Sequence, residues 1–261
     1  MVREIAEHAR RRFPDATIVV GGENATSMWR WMFEQTDAID CAVLGEGENT
    51  TVELADRVAA GVSYVGMTGL AVRDGAGGDA LDGGLPTRMR KLDGVVPPAW
   101  DLFPLDGYFR YGCSTGVNRG RTMPLLATRG CPYKCTFCSS PNMWTTRYSV
   151  REPEDVVDEI EDYVNRYGIR NIDFVDLTPM TKRSWILRLC ETLQERGLDV
   201  SLQLPIGTRS EALDDEVLRR MAAAGCTNIT FAPETGSERM LEIYDKRLDL
   251  DHLLEGIAAA R

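Results

Sequence analysis

From Pro124 onward the chain repeats one unit, a short apolar run followed by an amphipathic helix, with strand starts near 171, 199 and 227 recurring about every 28 residues. Strands are predicted over 124–128, 171–176, 199–204 and 227–232. Helices are predicted over 152–167, 184–196, 214–224, 238–244 and 250–260. The first of these carries Val156, Val157, Ile160, Val164 and Tyr167 on one face, with Pro153 in its first turn and Gly168 just past its end. Parallel strands joined by right-handed helical crossovers make an α/β fold, either a barrel or an open doubly wound sheet. In both, reactive groups gather at the C-terminal ends of the strands. Four such units leave one sheet edge open, so the chain is expected to be a fragment or to need a partner there.

The first hundred residues read as a second α/β unit. A helix over 3–12 leads to a strand over 17–20 that runs into Gly21-Gly22. A helix over 27–35 precedes a strand over 40–44, which runs into Gly45-Glu46-Gly47-Glu48, and a helix over 51–60 follows. Glycines straight after strands permit a sharp turn or close approach of a ligand. Residues 75–84 form a Gly/Asp-rich surface loop between short strands, and Pro97, Pro98 and Pro104 mark a linker. The expected domains are therefore 1–96 and 121–261, joined by a linker over 97–120.

Composition narrows the function. Hydrophobic content of 43% and charged content of 27% are ordinary for a globular protein. No run approaches the ~18 apolar residues of a membrane span, and the charged N-terminus does not read as a secretory signal. With 40 acidic and 30 basic residues the net charge is −10, which argues against a nucleic-acid partner. Arg10-Arg11-Arg12 reads as a solvated helix end. Seven cysteines, an odd number, fit reduced thiols in the cytoplasm rather than a disulfide scaffold. Cys41, Cys113, Cys190 and Cys226 read as small buried hydrophobes.

The other three cysteines crowd into RGCPYKCTFC, with Cys131, Cys135 and Cys138 on the long loop after the strand at 124–128. Three thiolates on one loop suit a 4Fe–4S cubane, with one iron left open to chelate a substrate or cofactor. Structural zinc is the competing reading, and its fourth ligand would have to come from Cys113, another distant cysteine, His8 or His252. A redox reading of the Cys135–Cys138 pair leaves Cys131 without a part.

At these residues the chain resembles the radical S-adenosylmethionine superfamily, whose pattern is a CxxxCxxC loop with an aromatic, here Phe137, before the third cysteine. The resemblance implies that the open iron binds the amino and carboxylate groups of S-adenosylmethionine. Electron transfer from the cluster then yields a 5′-deoxyadenosyl radical that abstracts hydrogen from a small-molecule substrate, so an electron donor is implied as a partner. Residues 231–238, FAPETGSE, resemble the family's fourth-strand motif, with Pro233 and Thr235 in place of commoner residues, and put Glu234 near the ribose or methionine end of the cofactor. The usual Gly-Gly-Glu after the second strand is absent; Asp173-Phe-Val-Asp176 stands there, as in the cobalamin-dependent branch, with Asp176 as the rim acid. Arg209 is placed as a fork on the cofactor carboxylate. For Asp176, Arg209 and Glu234 the alternative is a solvated rim charge.

The N-terminal half is similar to the cobalamin-binding domain of that branch. This implies a partial Rossmann-like unit followed by a partial radical S-adenosylmethionine barrel. Gly21, Gly22, Gly45, Glu46 and Gly47 would then lie against the nucleotide tail of cobalamin. The first strands of that unit and the Asp-x-His-x-x-Gly motif are not found, so both ends are expected to be cut and cobalamin is expected to bind weakly or not at all. The implied activity is methyl transfer to an unactivated carbon or phosphorus centre. Other radical rearrangements or cyclisations share these motifs. Methylthiotransfer would need three more upstream cysteines, and only Cys41 and Cys113 lie upstream. A metal-stabilised binding module or inactive fragment is the non-enzymatic alternative.

Overall fold

The computed structural model describes residues 1–73, 80–92 and 95–261, without the side chain of Asn142. The chain forms two compact units, Met1–Met89 and Arg90–Arg261.

In the first unit, α1 (Val2–Arg12) is followed by β1 (Val19–Val20), α2 (Gly22–Gln35), β2 (Cys41–Val43), α3 (Glu48–Ala59), β3 (Leu70–Val72) and β4 (Leu81–Asp82). Strand order is β1-β2-β3-β4, with β1 and β2 parallel and the later pairs antiparallel. Ala25, Trp29, Met32 and Phe33 of α2 pack on Ile39, Ala42 and Leu44. The helix α2 begins five residues before the expected start, because Thr26 and Ser27 hydroxyls donate to the Gly22 and Glu23 carbonyls within the helix instead of ending it. Arg10 is no solvated helix end: it pairs with Asp40 at 2.5 Å and donates to the carbonyls of Pro14 and Ala16. Half of the expected 75–84 loop, residues 75–79, lies outside the described residues, and β4 falls within its remainder.

The second unit opens with a 3₁₀ turn (Trp100–Leu102) and α4 (Leu105–Arg110). Then follow β5 (Thr122–Leu125), β6 (Thr128–Arg129), α5 (Ser140–Trp144), β7 (Ser149–Val150), α6 (Pro153–Tyr167), β8 (Asn171–Phe174) and α7 (Arg183–Glu195). The last elements are β9 (Ser201–Thr208), α8 (Asp215–Ala223), β10 (Cys226–Phe231), α9 (Glu238–Ile243) and α10 (Leu250–Ala259). A parallel sheet runs in the order β10-β9-β8-β5, and β6 pairs antiparallel with β7. The core joins Met123, Ile172, Phe174, Leu202 and Leu204 of the strands to Val156, Val157, Ile160 and Tyr163 of α6 and Ile186 and Leu189 of α7.

Three differences from expectation have physical causes. The apolar run at 124–128 is two strands, because the Ala127 and Thr128 N–H groups leave the sheet for the Asp176 carboxylate. The strand expected to stop before Pro205 continues to Thr208, because the β9–β10 register shifts between Ile229 and Phe231 and so accommodates a residue with no N–H. Cys113 is exposed rather than buried, since it caps the turn after α4, its N–H donating to the Tyr108 carbonyl at 3.0 Å; Cys226 is only half-buried.

Residues 97–120 are built into the second unit. Trp100, Leu105 and Phe109 pack on its core, and the Trp100 indole donates to the Tyr163 hydroxyl at 2.8 Å. Further on, the Asp173 carboxylate accepts the N–H groups of Thr115 and Gly116, both at 2.8 Å. Gln203 receives the Val117 N–H and donates to its carbonyl, each at 3.0 Å. Asp173 and Gln203 are register partners on β8 and β9 and are 1% and 0% exposed. A Cβ on Gly116 would stand 2.9 Å from Gln203 and 3.0 Å from Asp173. Gly116→Ala should therefore destabilise the protein by about 1–3 kcal/mol, read as a lower denaturant midpoint with unchanged slope.

Candidate functional site

The C-terminal ends of β5, β8, β9 and β10 form one rim, as parallel strands require. Past β5, the short β6 leads to Gly130, whose φ of +83° turns the chain into the cysteine loop. Asp176, Arg209 and Glu234 each follow the end of a strand by three residues or fewer. They are not equivalent there.

Asp176 is fully buried. Its Oδ1 accepts the Thr128 N–H and hydroxyl, both at 2.5 Å, and the Ala127 N–H at 3.0 Å. On the other side Arg151 donates its side chain to the Leu126 carbonyl at 3.0 Å and its N–H to the Ala127 carbonyl at 2.9 Å. The stretch feeding the cysteine loop is thus hydrogen-bonded from both sides. Arg209 is 7% exposed; its Nε donates to Glu211 at 2.7 Å, its Nη2 donates to Glu211 and to the Arg247 carbonyl, and its guanidinium lies 3.7 Å from the centre of the Tyr133 ring. Neither residue is a solvated rim charge. Glu234 is more open, holds a φ of +63°, uncommon for a residue with a Cβ, and pairs with the buried Lys246 at 2.9 Å.

The cysteine loop rests on the segment after α9. The Thr136 N–H donates to the Tyr244 carbonyl at 2.9 Å, and Phe137 meets the Tyr244 ring edge-on at 5.5 Å. Residues 244–247 thereby touch the loop through Tyr244, Glu234 through Lys246 and Arg209 through Arg247. Sequence reading passed over Tyr133, Thr128, Glu211, Tyr244 and Lys246. Tyr133 lies inside the motif and could have been picked out as an aromatic between ligands; the others carry no periodic signal.

All three motif cysteines are free thiols, Cys138 exposed and Cys131 and Cys135 half-buried. Burial pushes the Cys131 thiol up, Cys138 and Cys135 add to the rise, and a backbone hydrogen bond at Tyr133 and the Arg209 charge oppose it. The Ser140 N–H donates to the Cys138 sulfur at 3.4 Å. Among the described residues no three His, Cys, Asp or Glu side chains converge on a point where they could hold one metal ion. Cys131, Cys135 and Cys138 offer three soft thiolates on one short loop, and the ligands of a cubane each take a separate iron. The donor set fits a cluster.

In the first unit, Gly21 caps α2, Gly22 opens it at a φ of +88°, Gly45 turns the chain after β2 at +66° and Gly47 caps α3. These turns sit side by side at the ends of two parallel strands, where the Gly45 N–H donates to the Thr26 hydroxyl at 2.9 Å. Glu46 faces inward: it is 7% exposed, pairs with Arg88 at 3.3 Å and accepts the Met89 N–H at 2.6 Å.

Residues 125–261 match the family profile of the radical S-adenosylmethionine superfamily. The chain belongs to that superfamily. Residues 1–55 match the B12 binding domain, as in the cobalamin-associated branch of these radical S-adenosylmethionine proteins. It is 31% identical to the anaerobic magnesium-protoporphyrin IX monomethyl ester cyclase of Cereibacter sphaeroides, covering 100% of this chain and 42% of the relative. It is 29% identical to the cytidylyl-2-hydroxyethylphosphonate methyltransferase of Streptomyces wedmorensis, covering 95% and 50%. An uncharacterised methyltransferase of Pyrococcus horikoshii is 27% identical, covering 98% and 54%. The chain spans about half the length of these relatives. Among solved structures, the radical S-adenosylmethionine methyltransferase TsrM of Kitasatospora setae, with tryptophan and a cofactor analogue bound, superposes with a TM-score of 0.79 at 22% identity, covering 99% of this chain and 50% of that one. This likeness fixes the fold, a Rossmann-like α/β unit followed by barrel-type βα units. Among the described residues no helix is long and apolar enough to cross a membrane.

Burial pushes the Asp176 carboxyl up to about 6, with the Thr128 and Ala127 hydrogen bonds limiting the rise. Its folded value lies above the ordinary 3.8, so its contribution to stability is complete below that value and is lost as pH rises through about 6. Asp176→Asn keeps an acceptor for Thr128 and removes the titration. Denaturant unfolding at several pH values should show the parent losing about 2–3 kcal/mol relative to this variant between about pH 4 and about pH 7. A constant difference across that window would assign the titration elsewhere.

Proposed function

We propose that this protein is a cobalamin-dependent radical S-adenosylmethionine methyltransferase acting on a small-molecule substrate. The observation that carries the reading is the pairing, in one chain, of the CxxxCxxC loop on a parallel-strand rim with a unit matching the B12 binding domain. Cys131, Cys135 and Cys138 would hold a 4Fe–4S cluster. When bound, the cluster supplies the electron that cleaves S-adenosylmethionine to a 5′-deoxyadenosyl radical, and cobalamin supplies a transferable methyl group.

The remaining work belongs to the chain. Phe137, braced by Tyr244, shields the loop beside Cys138. Glu234 offers a carboxylate at the end of β10, oriented by Lys246, for the ribose or amino end of the cofactor. The backbone at Gly21, Gly22, Gly45 and Gly47 admits the cobalamin tail closely, while Glu46 holds residues 88–89. Asp176 secures the entry to the loop. An external electron donor is required, and the free thiols fit a reducing, cytoplasmic setting.

Anaerobic reconstitution should load about four irons per chain with broad thiolate-to-iron absorbance, and Ser at Cys131, Cys135 or Cys138 should abolish it. The reduced protein should release 5′-deoxyadenosine from S-adenosylmethionine, and a titration with hydroxocobalamin should perturb its visible spectrum. One tightly held zinc with no iron retained under strict anaerobiosis would overturn the cluster reading. Iron loading with no spectral response even to a large excess of hydroxocobalamin, where weak binding still registers, would overturn the methyltransferase assignment alone.

A further inference from the structure

We propose that Arg209 is a positioning residue for the cysteine loop, and that its charge sets how readily a cluster on that loop accepts an electron. The inference rests on the cluster reading above and concerns what the chain does to that cluster. A fork aimed at a cofactor carboxylate would present its donors to the rim. Here Nε and Nη2 are turned onto Glu211 and the Arg247 carbonyl, and the guanidinium is 7% exposed. Its flat face instead lies against Tyr133, between the first two cysteines of the motif, at 3.7 Å from the ring centre. Such cation–π contacts strengthen when desolvated, so the loop is clamped from beneath by a fixed cation.

That cation is within electrostatic reach of the ligands. Tyr133 stands two residues from Cys131 and two from Cys135, so the contact puts the charge beside both ligands. Burial works against the arginine's own charge, but Glu211, Tyr133 and Cys135 outweigh it and keep the guanidinium above its ordinary range. A group with this affinity for its proton is charged at every working pH. Glu211, 36% exposed against 8% for the arginine side chain, leaves its partner the better-buried charge.

A cubane with three thiolates passes from the 2+ to the 1+ core by taking one electron from a low-potential donor, with no bond made or broken. A buried positive charge nearby favours the more negative product, and net charge around the sulfurs is a main determinant of cluster potential. Arg209→Met should therefore make the cluster harder to reduce. Glu211→Gln, which removes the compensating carboxylate, should make it easier.

The test is a spectroelectrochemical titration of reconstituted parent, Arg209→Met, Arg209→Lys and Glu211→Gln, with iron content and S-adenosylmethionine affinity measured alongside. At a fixed poise the reduced-to-oxidised ratio should fall about tenfold in Arg209→Met, corresponding to about 59 mV for one electron. It should recover at least in part in Arg209→Lys and rise in Glu211→Gln, all at parental iron content. If Arg209→Met loses iron, the opposite shift in Glu211→Gln still decides, because that variant keeps the clamp. Parental potentials in Arg209→Met and Glu211→Gln would overturn the inference, and if Arg209→Met also lost S-adenosylmethionine affinity, Arg209 would be a direct cofactor contact. A parent chain that loads no iron would instead overturn the cluster reading itself.

Discussion

The buried carboxylate of Asp176 decides where the cysteine loop begins. It draws two consecutive N–H groups and a hydroxyl away from the end of β5, and so turns an apolar run that would have continued the sheet into the short β6. An ionised carboxylate with no exposure is costly, and the three donors from Ala127 and Thr128 offset that cost. Arg151 meets the same stretch from the opposite side, and Glu159 and the Trp185 indole, bonded to its guanidinium and carbonyl, fix Arg151 in turn. The donor loop is thus launched from a short stretch with little freedom.

The other side of the loop depends on four residues after α9. Tyr244, Lys246 and Arg247 engage, in order, the Thr136–Phe137 turn, Glu234 and Arg209. Asp245 adopts a φ of +47° between them. A backbone held in a sparsely populated region persists where its surroundings over-determine it, and here those surroundings are the loop and two strand ends. A small displacement of this segment would be felt at all three rim positions together.

Much of this arrangement was legible in the chain itself. Apolar periodicity and helix-stop glycines located the βα units because these are local signals, and parallel pairing then required a common rim. Spacing singled out the three cysteines as candidate ligands. The direction of individual side chains was not legible: Asp176 and Glu234 are both acids just past a strand, yet one is sealed beneath the loop and the other stands at the edge. Nothing within a few residues of either encodes that difference, since it is set by partners 48 and 12 positions away. The extension of β9 past Pro205 was hidden for a similar reason, being settled by the register of β10. Cys113 looked apolar by composition and is exposed by the geometry of one turn.

The segment that contains Gly116 carries a consequence for how the chain is assembled. Its N–H groups satisfy Asp173 and Gln203, 58 and 86 positions later in sequence. During synthesis these residues leave the ribosome well before either acceptor exists. Within the sheet the two buried polar side chains meet only part of each other's need: Gln203 donates to Asp173 Oδ1 at 3.1 Å, whereas Asp173 Oδ2 takes the Thr115 and Gly116 N–H groups. The interior of the sheet can close only when a long loop is brought round, a high contact-order event whose entropy must be met before its contacts form. Until then the nascent unit presents an incompletely satisfied polar interior, so the second half of the chain should acquire its protease resistance in one late step rather than unit by unit.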